Sequence, residues 1–114
     1  MHKNNFFSKL DPLSFVKTSH TIGEKFLFFN NKELESSLTQ IAIGKLNAQE
    51  VVPFHFHESM EEVFFILSGE GIFSIGEKHF NISKNCCIRV PSGFPHSIKA
   101  ETDLQFYYFG VAIN

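Results

Sequence analysis

Short apolar segments separated by turn-forming residues run through the whole chain, with a turn about every six to ten residues. No segment longer than one helical turn has the 3.6-residue period of an amphipathic helix. Many short strands joined by frequent turns are typical of β-sandwiches and β-barrels. The sequence therefore predicts an all-β fold of about ten short antiparallel strands.

The predicted strands follow from the apolar runs and from the Gly, Pro, Asn and Ser residues between them. Residues 1–12 have no clean period and are predicted to form an irregular arm. Residues 18–25 are predicted to form a polar turn, and it carries His20, whose side chain could reach a site. The predicted strands are residues 13–17, 26–29, 38–46, a strand that begins at 51, and 63–67, 71–75, 79–82, 86–90, 96–100 and 104–112.

Size and charge limit the partners that this chain can have. Its 114 residues are the size of one domain, with residues 1–37 as an N-terminal arm and strands and residues 38–112 as the core of the barrel. The net charge of -2, without a run of Lys or Arg, argues against nucleic acid and membrane surfaces as partners. No apolar run is long enough to span a membrane, and the first residues lack the apolar core of a signal peptide. We expect a cytoplasmic protein that binds a small molecule.

Two histidines two residues apart are the first sign of a functional site. His55 and His57 lie in a segment whose apolar neighbours predict a strand, and alternate side chains of a strand lie on one face. Glu62 begins the next predicted strand, so its carboxylate can lie opposite the two imidazoles as a cross-strand neighbour. Two imidazoles and one carboxylate make most of a site for a divalent transition metal.

A third histidine follows a tight turn later in the chain. The residues Pro91-Ser-Gly-Phe-Pro-His96 place Pro and Gly where they favour a turn, and His96 begins another apolar strand. With His96 the candidate ligands are three imidazoles and one carboxylate. Burying these four groups without a metal would be costly, which favours ligation over a purely structural role.

The two segments resemble the two sequence motifs of the cupins. The first motif, G-x5-H-x-H-x(3,4)-E-x6-G, matches His55, His57, Glu62 and Gly69, whereas Gln49 stands at its leading glycine. The second motif, G-x5-P-x-G-x2-H-x3-N, is in register at Pro91, Gly93 and His96, with Asn85 at its leading glycine and Ala100 at its trailing asparagine. Asn tolerates the left-handed backbone conformation better than other non-glycine residues, so we expect Asn85 to keep the turn. Glu61 is the alternative acid, after a three-residue gap, but the distance to Gly69 favours Glu62.

The resemblance to small single-domain cupins implies a jelly-roll barrel, also called a double-stranded β-helix, with one metal held by His55, His57, Glu62 and His96. Such a ligand set leaves two neighbouring positions of an octahedral ion open for a substrate or dioxygen. Mixed nitrogen and oxygen ligands suit Fe, Mn, Ni, Cu or Zn and do not choose among them.

Several further polar residues are candidates for the pocket around the metal. Gln40 and Tyr108 could face the cavity as hydrogen-bond donors, although strand phase alone does not settle this. Arg89 is the only arginine, and it could bind a carboxylate or phosphate through two hydrogen bonds or remain a surface charge. His2 and His79 are predicted to be solvated surface residues.

An uninterrupted apolar strand suggests self-association. If Glu62 and Phe64 face the metal, Val63, Phe65 and Leu67 face away from it and need cover of their own. Phe54 and Phe56 pose the same problem, because they are out of phase with the histidines. The second sheet, the N-terminal segment or a second subunit must supply this cover. We predict a homodimer.

Three functions agree with this sequence. The resemblance favours a metalloenzyme, such as a dioxygenase or isomerase, in which the metal polarises a chelated oxygen-rich metabolite. The alternatives are a sugar isomerase or epimerase of polysaccharide synthesis, with His55 or His57 as a base, and a non-catalytic module that binds a small molecule.

Overall fold

The computed structural model describes residues 6–113, and these form ten strands and no helix. The predicted arm at residues 1–12 therefore lies partly outside the described residues, and His2 lies wholly outside them. The described part contains no helix that could cross a membrane. The strands are β1 (Val16–Lys17), β2 (Glu24–Phe29), β3 (Leu38–Leu46), β4 (Val51–His55), β5 (Met60–Ser68), β6 (Gly71–Ile75), β7 (Lys78–Ile82), β8 (Cys87–Val90), β9 (His96–Ala100) and β10 (Leu104–Ala112).

The strands form two antiparallel sheets that face each other. A six-stranded sheet has the order β1-β2-β3-β10-β5-β8, and a four-stranded sheet has the order β4-β9-β6-β7. The chain passes repeatedly from one sheet to the other, as it does between β3 and β4 and between β5 and β6. This confirms the predicted all-β jelly-roll fold.

The core lies between the two sheets and is built from alternate residues of each strand. Phe73 and Ile98 contribute from the four-stranded sheet, and Phe64, Ile66 and Phe106 contribute from the six-stranded sheet. The rings of Phe64 and Phe73 lie 5.0 Å apart in an edge-to-face arrangement, which joins the two layers. The ring of Phe73 also lies parallel to that of His96, with the centroids 6.1 Å apart, so the apolar core borders the inward-facing polar side chains.

The strand predictions were correct where apolar runs ended at clear turn residues. The observed bounds of β3, β6, β9 and β10 are those predicted, whereas β1 is shorter and lacks residues 13–15. Strand β2 begins at Glu24, inside the predicted polar turn, because Glu24 and Lys25 pair with residues of β3. Pairing with a neighbouring strand thus extends β2 beyond its apolar run.

Left-handed backbone conformations mark the turns at both motif positions that lack the expected glycine. Asn85 has a φ of 74°, which confirms the prediction that it keeps the turn. Gln49 also has a φ of 74°, and its amide N–H donates to the carbonyl of Ala100 at 2.7 Å. The turn geometry is therefore retained at both positions without glycine.

Candidate metal centre

His55 and His96 are direct neighbours on paired strands. They are cross-strand partners at the ends of β4 and β9, and their ring centroids lie 4.3 Å apart. His96 is almost fully buried, and His55 is half-buried at the mouth of the barrel. Paired positions of an antiparallel ladder share one face, so the two imidazoles point together into the barrel.

His57 joins the other histidines although it lies beyond the strand. Strand β4 ends at His55, after a register shift between Val52 and His55 that spans Pro53, which lacks an N–H donor. The prediction that one strand holds both histidines was therefore wrong. Instead, the carbonyl of His57 accepts a hydrogen bond from the N–H of Gly93 at 2.8 Å, which ties His57 to the turn before His96.

Glu62 approaches the histidines from the opposite sheet. We expected it to be a cross-strand neighbour of His55 and His57, but its strand β5 pairs with β10 and β8 in the six-stranded sheet. The intervening loop crosses between the layers, so the carboxylate reaches the histidines across the barrel. Glu62 Oε1 lies 3.2 Å from His96 Nε2 and 3.7 Å from His57 Nε2.

Backbone carbonyls fix the orientation of two of the imidazoles. His55 Nδ1 donates to the carbonyl of Pro53 at 2.9 Å, and His96 Nδ1 donates to the carbonyl of Phe94 at 3.0 Å. A carbonyl can only accept, so Nδ1 carries the proton in each ring. In the neutral rings Nε2 then keeps its lone pair, which is the form that binds a metal.

The buried ends of Glu62 and His96 have the chemistry of a cation site. Within the described residues, Glu62 Oε1 and His96 Nε2 are both buried and make no hydrogen bond. With Nδ1 protonated, the short contact between them brings two lone pairs together, which is unfavourable unless a cation or proton lies between them. A divalent metal satisfies both atoms at once.

The spacing of the four groups also suits a single ion. One ligand atom from each of His55, His57, Glu62 and His96 lies within 4.8 Å of the others. Two ligands that are each about 2.1 Å from one ion lie at most about 4.2 Å apart. Small side-chain adjustments therefore bring all four groups within bonding distance of one metal.

Burial changes the protonation of the groups around the centre. Burial lowers the pKa of His55 below its ordinary value of 6.5, and the neighbouring imidazoles of His96 and His20 lower it further, against the bond to Pro53, which raises it. Burial also lowers the pKa of His20, and His57 adds to this effect. The pKa of Tyr108 is raised by burial and by the charge of Glu62, so its phenol stays protonated and can donate a hydrogen bond.

A cavity of about 140 Å³ lies beside the four groups. Gln40 and Tyr108 are among the residues that line it. The inner wall is largely apolar, with side chains from both sheets. Its apolar lining residues include Ile22, Leu46, Val52, Phe64, Ile98 and Phe106.

Arg89 does not line this cavity, and of the two roles considered for it the structure shows the surface charge. It pairs with Val63 in the ladder, so its side chain lies on the outer face of the sheet. There its guanidinium donates to Glu61 Oε2 at 2.7 Å, and 62% of the side chain is exposed. Glu61, the alternative acid, is thus engaged on the outside of the barrel, whereas Glu62 faces the histidines.

Seven lining residues precede β3, and two of them, His20 and Lys25, carry basic side chains. The seven are Thr18, Ser19, His20, Ile22, Gly23, Glu24 and Lys25. The ring of His20 lies 4.2 Å from the ring of His55, centroid to centroid, and Lys25 lines the same cavity. The sequence suggested His20 only as a residue within reach of a site, and it gave no reason to select Lys25. The face that Lys25 presents depends on its pairing with β3, which no local pattern reveals. His79, by contrast, is exposed as predicted, with Nδ1 2.7 Å from Ser74 Oγ.

Solved structures with this architecture are numerous, and two are representative. A predicted oxalate decarboxylase from Thermotoga maritima is 28% identical, with a TM-score of 0.76 over 80% of this chain and 81% of that protein. The plu4264 protein from Photorhabdus luminescens is 18% identical, with a TM-score of 0.78 over 93% of this chain and 87% of that protein, and it shows the fold alone.

Sequence comparison agrees with the structural likeness. Uncharacterized protein MJ1618 from Methanocaldococcus jannaschii is 31% identical over 58 residues, which are 46% of each protein. The chain thus spans about half the length of this curated relative. The family model of the cupin domain matches residues 42–111, a range that includes both histidine segments and Glu62. This chain is therefore a member of the cupin domain family.

Proposed function

We propose that the protein binds one divalent transition metal through His55, His57, Glu62 and His96 and acts as a metalloenzyme on a small oxygen-rich metabolite. The observation that carries the proposal is the buried contact between Glu62 Oε1 and His96 Nε2. Neither atom forms a hydrogen bond among the described residues. A cation removes this conflict, and the other two imidazoles complete its ligand set.

The residues around the centre support binding and orientation of a polar ligand. When bound, the metal would supply Lewis acidity to a chelated oxygen of the substrate. Tyr108 can donate a hydrogen bond from a phenol that stays protonated, and Gln40 can both donate and accept. The apolar walls exclude water and strengthen these interactions.

The size of the cavity favours a small substrate. Its volume of about 140 Å³ corresponds to roughly five water molecules, well below the range of about 300 to 1,000 Å³ for drug-sized ligands. A small organic acid or diol fits this space better than a sugar carried on a larger group. The likeness to a predicted oxalate decarboxylase also supports a small organic acid as the substrate.

Elemental analysis of the natively expressed protein tests the metal directly. We expect one equivalent of Fe, Mn, Ni, Cu or Zn per chain, and a loss of most of it in His96→Ala. Fully folded wild-type protein without metal would contradict the proposal and would favour the alternative of an isomerase with His55 or His57 as base.

Turnover is tested separately. Oxygen uptake and carbon dioxide release, measured with a panel of small oxo acids, diols and catechols, distinguish oxygenation from decarboxylation, and product analysis detects isomerisation. Saturable binding without any turnover would contradict the enzymatic part and favour a binding module.

The predicted homodimer is also part of this proposal, together with a cytoplasmic location. Phe54 and Phe56 are each 54% exposed, and Phe65 and Tyr107 are about 40% exposed on the outer face of the large sheet. The ring of Phe28 lies 6.0 Å from that of Tyr107, centroid to centroid, yet all four rings remain substantially exposed, and a second subunit would cover them. Sedimentation at increasing concentration is the test, and a monomer throughout would contradict the dimer.

A further inference from the structure

The segment before β2 is fastened against the mouth of the barrel. Thr18 Oγ1 donates to the carbonyl of Ile22 at 2.8 Å and accepts from the N–H of His20 at 3.3 Å. Gly23 has a φ of +78°, and a Cβ there would lie 2.6 Å from a methyl carbon of Leu46. This close packing fixes the turn and directs His20 into the cavity.

His20 lines the cavity together with His55 and His57, but it does not belong to the group of converging ligands. Its ring lies against His55, with the centroids 4.2 Å apart. Within residues 6–113 neither of its ring nitrogens has a hydrogen-bond partner. A side chain that lines a cavity with two free nitrogens is suited to contact a ligand there.

Lys25 brings a positive charge to the same side of the cavity. It pairs with Gly44 of β3, and a Cβ at Gly44 would point at the rings of Phe106 and Tyr108, which face inward. Residues paired in a ladder share a face, so Lys25 also points inward. His20 and Lys25 both line the cavity, so the positive charge and the imidazole face the same space.

The two lysines along the cavity differ in their partners. Lys45 Nζ lies 3.4 Å from Glu24 Oε1 and over the ring of Phe15, so its charge is balanced. No carboxylate of the described residues lies within ion-pairing distance of Lys25. Lys25 is therefore the cation that remains available to a ligand in the cavity.

A charge count indicates the sign of that ligand. A divalent ion with Glu62 and three neutral imidazoles has a net charge of +1, and Lys25 adds another positive charge. A small anion neutralises this excess, and burial makes the attraction stronger than it would be in water. With about 140 Å³ available, the anion must be small.

We propose that His20 and Lys25 form an anion-binding sub-site that holds one carboxylate of a small organic acid while another oxygen group of the same molecule faces the four metal-ligating residues. This inference rests on the proposed function and deepens it, because it assigns small dicarboxylates and related acids as the ligand class. Both residues precede the part of the chain that the family model matches.

Malonate and malonamide form a matched pair of probes, because they have nearly the same shape and differ in charge. Each is titrated by calorimetry into the cobalt-loaded full-length protein, and the visible spectrum of the cobalt reports on the centre. The variants are Lys25→Met and His20→Gln, and Lys17→Met on the exposed edge strand β1 is the control for the loss of one charge. Metal content is measured before and after each titration.

We expect malonate to bind wild type and Lys17→Met alike, with at least tenfold weaker binding to Lys25→Met and His20→Gln at unchanged cobalt content. Malonamide should bind weakly and equally to all four proteins. Equal malonate affinity in wild type and Lys25→Met, or no malonate binding by the fully loaded wild type, would overturn the sub-site.

The two proposals fail in different ways. If wild type takes up no metal, the proposed function is wrong, and malonate is then titrated into the metal-free protein. Binding that depends on Lys25 supports the sub-site in that case, and absence of binding overturns it. Loss of the fold in either variant is detected by circular dichroism, and Lys25→Gln and His20→Asn then replace that variant.

Discussion

Glu62 and His96 come from opposite sheets, and their Oε1 and Nε2 atoms meet 3.2 Å apart in the interior without forming a hydrogen bond. In the neutral ring of His96 the carbonyl of Phe94 holds the proton on Nδ1, so Nε2 faces the carboxylate as an acceptor. The fold therefore brings two like electron-rich atoms together, which is an arrangement that binding sites keep and that stability alone does not favour.

Glu62→Gln should remove the metal and still preserve the metal-free protein. The amide of glutamine can donate to His96 Nε2, so a repulsive contact becomes a hydrogen bond with a net contribution of about 1 kcal/mol. We expect the metal-free variant to be at least as stable as metal-free wild type in urea unfolding. Marked destabilisation of the variant would show that no such conflict exists at this position.

Glu61→Gln is the matched variant, because Glu61 is the neighbouring acid on the outer face. Its pair with Arg89 is largely exposed, and exposed pairs contribute about 0 to 1 kcal/mol. We expect full metal content and a loss of stability of less than about 1 kcal/mol. Loss of metal in this variant instead would favour the other register of the motif.

The stability of the metal-free protein should fall on acidification. Burial lowers the pKa of His55 and of His20 below 6.5 in the folded state, whereas the unfolded chain has the ordinary value. The unfolded state therefore binds more protons, and stability is fully present above about pH 6.5 and is lost as the pH falls toward the folded-state pKa values. Urea unfolding between pH 8 and pH 5 measures this, and a flat profile would contradict it.

The amount of bound metal should also fall as the pH is lowered. Three imidazoles must be neutral to bind, so protons compete with the metal. We expect release on dialysis through about pH 6 to 5, measured as metal retained per chain. Unchanged metal content after dialysis at pH 5 would be incompatible with three histidine ligands.

Gly69→Ala and Gly76→Ala distinguish two reasons why a position requires glycine, namely a positive φ and a lack of space for a Cβ atom. Both positions have positive φ, at 89° and 57°, but only at Gly69 would a Cβ overlap the carbonyl oxygen of Asp103. Gly76 has open space around it, so Gly76→Ala should cost about 1 to 2 kcal/mol from backbone strain. Gly69→Ala should cost about 3 kcal/mol or more. Chemical denaturation compares them, and equal losses would contradict the steric argument.

Variants of Asn85 test whether the absence of the motif glycine lowers the stability of the fold. Its φ of 74° costs asparagine little, so Asn85→Gly should change stability by less than about 0.5 kcal/mol, because the gain in backbone freedom is offset in the unfolded chain. Asn85→Ala should lose about 1 kcal/mol. Thermal unfolding of both variants is the measurement, and a stable Asn85→Ala would contradict the strain.

Local patterns predicted the parts of this protein that local chemistry determines. The bounds of β3, β9 and β10 follow from apolar runs between turn residues, and the turn at Asn85 follows from its tolerance of positive φ. The four candidate ligands were identified because their spacing matches two motifs, and the structure brings these four side chains together.

The remaining features depend on which strands become neighbours. Glu62 was expected beside the histidines in one sheet, yet β5 pairs with β10 and the carboxylate arrives from across the barrel. The sequence left Arg89 open between a ligand-binding role and a surface charge, and its pairing with Val63 directs it outward. Lys25 was missed because its inward direction depends on pairing with Gly44, nineteen positions along the chain. Such pairings are set by the global packing of the sheets.

The position of the four ligating groups has a consequence for the lifetime of the protein. His55 and His96 belong to the four-stranded sheet, His57 follows it directly, and Glu62 belongs to the six-stranded sheet. A single ion bound to all four would therefore link the two layers. Separation of the layers would then require release of the ion, and a free concentration a thousand times the dissociation constant adds about 4 kcal/mol to the unfolding free energy. Resistance to proteases would accordingly rise and fall with the metal supply of the surroundings.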